Sequence, residues 1–225
     1  MLAVVPESER EFGSAIVQQL SSLYTRIREF AHALELLAMC HKWMAEGRAS
    51  RPTTSLSSRQ MIEAEERLIH WQLMALREGA RVLYLVEITM SNLKGQLIPK
   101  CKSINSLLQH RKKDEAATAF RRAFPDFAPV RHAGAHSDEL INHPDKLNDH
   151  SMQGPYSAEG IDASRDASFY VGEIVRGSRY STTFKGRMRG YELSASSLQL
   201  LSSAIEDYIS AFDPVLDAAH RPSPS

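Results

Sequence analysis

Cysteine is scarce in this chain. Cys40 and Cys101 are the only two among 225 residues, which makes neither a CxxC pair nor a disulfide framework, and a reducing compartment, the cytoplasm, is the expectation. Excess charge is absent as well. Twenty-seven Lys and Arg balance 27 Asp and Glu, so net charge gives no reason to expect nucleic acid. No apolar run approaches the roughly 20 residues of a membrane span. Met1 to Pro6 lacks a basic flank and runs into Glu7, Glu9 and Glu11, so no secretory signal is expected. Neither GxGxxG nor GxxxxGK[ST] occurs, which argues against a nucleotide-cradling loop. Ser137 and Ser151 lie near histidines, but no GxSxG elbow surrounds either, and a hydrolase triad is poorly supported.

What remains is a composition of 43% hydrophobic and 24% charged residues, as in a globular chain long enough for its own core. The zero balance hides segregation. Lys94 to Arg131 carries nine basic against three acidic residues, Arg165 to Arg189 six against two, and Ser194 to His220 four acids with no Lys or Arg. If the fold joins the two basic segments, they form a patch suited to phosphate; otherwise they are scattered solvated charge.

Periodicity predicts helices. Ile16, Leu20, Leu23, Ile27, Phe30, Leu34, Leu37 and Cys40 recur at three- and four-residue steps, giving a first helix over about 9–46 that Gly47 ends, then a loop over 48–57. Ser58, with Glu63, Glu65 and Glu66 beyond it, opens a second helix to about Leu93 with Met61, Leu68, Trp71, Leu76, Leu83, Val86 and Met90 on its apolar face. A short connection between two such helices predicts an antiparallel hairpin. Trp43, Trp71 and the methionines at helical spacing read as core. A third helix is predicted over 103–122 and a fourth over 126–141, closed by Pro144. Residues 145–167 read as a polar loop. Phe169, Val171, Ile174, Val175, Tyr180, Thr182, Thr183, Phe184 and Tyr191 favour strands around the Arg176-Gly177-Ser178 turn, so a two- or three-stranded β-hairpin is predicted over 168–193. A last helix runs over 196–218, which Asp213-Pro214 kinks or ends, before a disordered tail at 221–225. The fold class is therefore mainly α, an antiparallel helical bundle in one domain over 1–225 with a small β-hairpin insertion.

One stretch carries chemistry: Arg131-His132-Ala133-Gly134-Ala135-His136. An Arg, a polar residue directly after it, small residues and a His on a late helix resemble the HEPN superfamily of all-helical domains, whose motif is Arg, four to six residues, then His. The match covers about ten residues closely and the rest in architecture alone, and the β-hairpin lies outside the minimal family core. The resemblance implies metal-independent cleavage of RNA, without a cofactor, often in toxin–antitoxin or antiviral systems, and in other members binding without cutting. His suits proton transfer near neutral pH, and Arg suits a phosphate on which charge develops. His136 would be the proton carrier, Arg131 the phosphate clamp and His132 an orienting group. Residues five apart are separated by about 140° around a helix, so Arg131 and His136 do not share a face of one regular turn, whereas His132 and His136 nearly do. Either Arg131 swings at a helix end, or two subunits set their motif helices side by side across a two-fold axis; the family resemblance favours the homodimer.

Alternatives stay open on the same residues. Arg131 can pair with Asp126 or Asp138 as a helix cap, and His136 can satisfy a buried hydrogen bond. His132 and His136 have the spacing of a metal clamp, with Asp138, Glu139 or His143 as third ligand, although Ala133-Gly134-Ala135 supplies no HExxH base. Four of the nine histidines, His132, His136, His143 and His150, fall within 132–150. Candidate contacts to RNA are Lys112, Lys113, Arg121 and Arg122 on the third helix and Arg176 and Arg179 on the β-hairpin, with Lys185, Arg187 and Arg189 beside them. Lys112-Lys113-Asp114-Glu115 also reads as a solvated helix face, and the hairpin cations as a charged edge that blocks aggregation. A non-catalytic helical module binding nucleic acid, an antitoxin or another protein partner is the reading from a second class.

Overall fold

The computed structural model describes residues 1–50, 58–135, 144–158, 161–165 and 167–220; at 48–50, 58, 133–135 and 144–146 it describes the backbone alone. The fold is mainly α, with eight α-helices and a small antiparallel sheet portion among the described residues. Two long helices come first, α1 (Arg10–Ser50) and α2 (Ser58–Asn92). A π-turn at Leu93–Leu97 and a 3₁₀ turn at Ile98–Lys100 follow, around Gly95 and Pro99. Then come α3 (Lys102–Leu107), α4 (His110–Ala123), α5 (Phe127–Ala135) and α6 (Pro144–His150). Among the described residues seven strands come next: β1 (Met152–Gln153), β2 (Tyr156–Ala158), β3 (Ile161–Ala163), β4 (Ser168–Phe169), β5 (Ile174–Arg176), β6 (Arg179–Phe184) and β7 (Arg187–Glu192). Helices α7 (Ala195–Ser210) and α8 (Asp213–His220) close the described chain. At 1.5 Å per residue α1 and α2 are about 60 and 50 Å long, and Trp43 near the end of α1 meets Trp71 early in α2 at 5.8 Å between ring centroids, as in an antiparallel pair.

The chain divides into two compact units, each assembled from distant segments: Met1–Glu29, Val82–Pro125 and Ser196–Ser225 in the first, Phe30–Arg81 and Asp126–Ala195 in the second. The first has a core of Ile16, Leu23, Leu83, Met90, Ile104, Phe120, Ile205 and Phe212. The Tyr208 hydroxyl within it donates to the Met90 carbonyl at 3.3 Å. Glu9 accepts the Ser103 N–H at 3.0 Å and its hydroxyl at 2.7 Å, satisfying an orphan donor in the first turn of α3, and these bonds hold its carboxyl below the usual range.

The second unit buries Phe30, Leu37 and Cys40 of α1 with Leu76 and Ala80 of α2, Val130 of α5, and Tyr180, Tyr191 and Leu193. Its sheet is the antiparallel meander β5-β6-β7, with Tyr180 opposite Tyr191 and Thr182 opposite Arg189. The β6–β7 turn puts Lys185 at φ 49° and Gly186 at φ 71°, a turn of the primed kind that follows strand twist. Tyr191 and Glu173 anchor the meander to α2. The Tyr191 hydroxyl donates to the Leu76 carbonyl, and Glu173 accepts Arg77 Nε at 2.7 Å, Arg77 Nη2 at 2.5 Å and the Tyr180 hydroxyl. Burial, then the bond to Glu173, pushes the Tyr180 phenol up.

Several expectations are corrected. Gly47 does not end the first helix, which continues to Ser50, because one exposed glycine costs only about 1 kcal/mol against a helix already propagated over many turns. The third helix is two helices. The Gln109 N–H donates to the Ala211 carbonyl at 3.0 Å and Leu108 is extended, a long-range bond that no local period announces. Pro144 opens α6, as its missing N–H permits at a first position, and residues 136–141 of the predicted fourth helix lie outside the described residues. The polar stretch 145–167 holds most of α6 and three short strands; β2 pairs with β3, and β1 pairs with β4. Trp43 and Trp71 are not core. They are 38% and 39% exposed and touch each other at 5.8 Å between ring centroids. The last helix ends at Ser210 and a new one begins at Asp213, ahead of Pro214. The tail 221–225 lies outside the described residues.

Candidate functional site

Helix α5 carries the Arg131-His132 half of the motif, and β6 and β7 are its neighbours in the second unit. Its position is set by the residue that precedes it. The Asp126 Oδ1 accepts from Arg189 Nη1 at 3.0 Å and Oδ2 from the Gly190 N–H at 3.2 Å, so both carboxylate oxygens serve β7. A side chain at 190 would put its Cβ 2.7 Å from the Tyr180 carbonyl, so only glycine keeps the strands and this bond in register. Val130 is fully buried, Arg131 half-buried and His132 exposed.

His132 meets the end of β6. Its ring stands edge-on to Phe184 at 5.5 Å and 81°. A second imidazole reaches the same ring: His150, from the last turn of α6, stacks on Phe184 at 4.6 Å and 22°. The Lys185 N–H donates to His150 Nδ1 at 3.2 Å, and the Lys185 ammonium lies 5.6 Å from the Phe184 centroid. With Nδ1 accepting, the neutral His150 ring carries its proton on Nε2 and presents a donor. Phe184 thus gathers two histidines that stand 18 positions apart. Sequence reasoning counted His150 only as one of four clustered histidines and missed this pairing; a Phe at the end of a strand next to a Lys-Gly turn is too common to have flagged it.

Burial lowers the His150 pKa, the Lys185 charge lowers it further, and Asp149 opposes. A histidine whose folded pKa is depressed contributes stability that is whole above its unfolded value, about 6.5, and is lost as pH falls through the lower folded value. Stability should therefore decline below about pH 6.5 in part through this ring, and His150→Gln should flatten that part of the profile in urea melts between about pH 7 and pH 5. An unchanged slope would show that the Phe184 stack does not discriminate against the charged ring.

His136, and with it the Arg131–His136 relation, lies outside the described residues, as do Asp138, Glu139 and His143. Among the described residues no group of three or more His, Cys, Asp or Glu could hold a metal ion. The proposed RNA contacts fall in different settings. Lys113 is turned inward at 4% exposure with its ammonium 3.6 Å from Asp114, which removes it from a phosphate-facing surface. Arg121 is exposed and chelates Glu87 through Nε and Nη2, at 3.1 and 2.6 Å, a pairing that raises its pKa. Lys112 is half-buried and Arg122 exposed. Arg111 and Arg122 border an open depression of about 460 Å³ on α4 that Asp114 and Glu115 also line, so its charge is mixed. On the sheet, Arg176 and Arg179 are exposed and directly opposite across the β5–β6 turn, Lys185 and Arg187 are exposed, and Arg189 is engaged by Asp126. The α4 cations belong to the first unit and the sheet cations to the second.

No family model matches the chain, and no curated protein or solved structure does. Among the described residues no helix is long and apolar enough to cross a membrane.

Proposed function

We propose that this chain is a HEPN-like, metal-independent endoribonuclease that works as a cytoplasmic homodimer in a toxin or antiviral-defence role. The observation that carries the reading is the motif itself on its helix: Arg131 and His132 lie on α5, after two long antiparallel helices, with His136 next in the pattern. Two further features support it. His150 brings a second imidazole, presenting an N–H donor, to the ring that His132 touches. The exposed Arg176, Arg179, Lys185 and Arg187 of the same unit offer cations to an RNA backbone.

In this reading His136 takes the 2′-hydroxyl proton, Arg131 stabilises the charge developing on the phosphate, and His132 orients the substrate. RNA incubated with the protein in EDTA should be cut. His136→Ala should reduce the rate by about 10²-fold or more at unchanged stability, as expected for loss of a proton carrier. Equal cutting by that variant would remove the assignment.

The second reading is a non-catalytic module that binds RNA, an antitoxin or another protein; the burial of Lys113 and the engagement of Arg121 and Arg189 with carboxylates favour a protein partner within it. Binding with no turnover in the same assay would select it.

A further inference from the structure

The β6–β7 turn collects hydrogen-bond donors from three elements of the second unit. Phe184 is the hub. The His150 ring from α6 stacks on it at 4.6 Å, the His132 ring from α5 meets it at 5.5 Å, and the Lys185 ammonium lies 5.6 Å from its centroid. Arg187 stands directly opposite Phe184 across the turn, and directly opposite residues share a face of the sheet. His132, Lys185 and Arg187 are exposed and His150 is half-buried, so solvent reaches all four. The Lys185 N–H occupies His150 Nδ1 at 3.2 Å, which leaves Nε2–H as the donor of that ring. Other arginines of this unit are already paired, Arg77 with Glu173, Arg81 with Glu78 and Arg189 with Asp126. Lys185 and Arg187 have no carboxylate partner among the described residues. Asp149 is the one carboxylate among the described residues whose charge is felt at His150.

We propose that this cluster binds one phosphate group, held by His150 Nε2–H, the Lys185 ammonium and the Arg187 guanidinium. Charge and geometry select that ligand. Lys185 and Arg187 outweigh Asp149, so an anion is favoured over a cation or a neutral group. A phosphate group offers three strong acceptor oxygens in a tetrahedral array. Donors that arrive from a helix end, a turn and a strand match that array better than the planar oxygens of a carboxylate. Arginine grips such oxygens as a fork and lysine as a point charge. Neutral His150 adds a directed hydrogen bond without repelling its cationic neighbours. Two sources share this chemistry, a diester in a nucleic-acid backbone and a free phosphate. The assignment to RNA rests on the nuclease reading: His132 directly follows Arg131, so a strand with one phosphate here passes along the motif helix. The site itself does not require cleavage.

Proton–carbon NMR of the nine histidine Cε1–H groups in the full chain can follow a titration with inorganic phosphate near neutral pH. At constant ionic strength the His132 and His150 signals should move together, with a dissociation constant of about 1–10 mM, and sodium chloride should not reproduce the shift. Lys185→Asn, which tolerates the left-handed backbone at φ 49°, and Arg187→Gln should each weaken binding by about 3-fold or more. His150→Phe keeps a ring against Phe184 but has no donor, and it should weaken binding as much, read at His132. Arg59→Ala, at an exposed arginine paired with Glu63 at the start of α2, should leave the titration unchanged. A 2′-O-methyl oligonucleotide, which cannot be cut, separates the two sources. It should displace phosphate and bind the Lys185 and Arg187 variants about 3-fold or more weakly. Phosphate shifts with no response to the oligonucleotide would keep the site and assign it to free phosphate. A chain that cuts nothing can still give these shifts, so the outcome is separate from that of the nuclease assay. Histidine signals that stay in place, that move equally with chloride, or that respond in all three site variants as in wild type overturn the inference.

Discussion

Gly79→Ala should destabilise the protein by about 1–2 kcal/mol, although in an isolated helix the same change stabilises by roughly 1 kcal/mol. The sign reverses because of what lies over the glycine. A Cβ at position 79 would run into the Tyr191 hydroxyl, and it would also lie 3.2 Å from Leu193 Cδ1 and 3.3 Å from Tyr191 Cζ. Tyr191 cannot easily move aside: it is 6% exposed, its hydroxyl donates to the Leu76 carbonyl, and its ring packs edge-on against Tyr180 at 6.3 Å. Overpacking a site this constrained costs on the order of 1–3 kcal/mol, which the roughly 1 kcal/mol gained in helix propensity only partly offsets. Tyr191→Phe removes the atom in the way and should cost only about 1 kcal/mol by itself, since the Leu76 carbonyl lies inside α2 and keeps its helical bond. Gly79→Ala should then cost less in the Tyr191→Phe background than in the wild-type chain, with a coupling of about 1–2 kcal/mol between the two positions. Urea denaturation of the four proteins measures this directly. Additive costs would mean that the tyrosine is not what excludes a side chain from position 79.

Glu173→Ala should cost about 2–4 kcal/mol, the second large effect. Glu173 is the common acceptor for the Arg77 guanidinium and the Tyr180 phenol, and its side chain is 14% exposed. Its removal strands a hydroxyl on a tyrosine that is fully buried, at about 1–3 kcal/mol. The loss at Arg77 is smaller than for a buried pair, because the arginine side chain is 39% exposed and water replaces part of the interaction. Tyr180→Phe should therefore be much milder, about 1 kcal/mol, since Glu173 keeps its two bonds to Arg77. If Glu173→Ala fell within about 0.5 kcal/mol of wild type, the anchoring of this sheet to α2 would have to reside in packing alone.

Lys185→Ala belongs with the site rather than the fold. It leaves the backbone bond to His150 in place, and it separates the charge beside Phe184 from the geometry of the imidazole stack.

The amino-acid pattern by itself determined the two long helices, the position of the β meander and the place of the Arg131-His132 pair on a late helix. Those are local properties: a three- and four-residue apolar period, β-branched and aromatic alternation around Arg176-Gly177-Ser178, and small residues after a charged one. The tertiary structure decided what touches what. The bond from Gln109 to Ala211 cut one predicted helix into two, Phe184 drew His132 and His150 together, Lys113 was turned inward among charged neighbours, and two tryptophans spaced like core residues were left on a surface. The physical reason is the same in each case. A helix period fixes which residues share a face, but whether that face is covered depends on segments far away in the sequence, whose approach is governed by packing and by long-range hydrogen bonds.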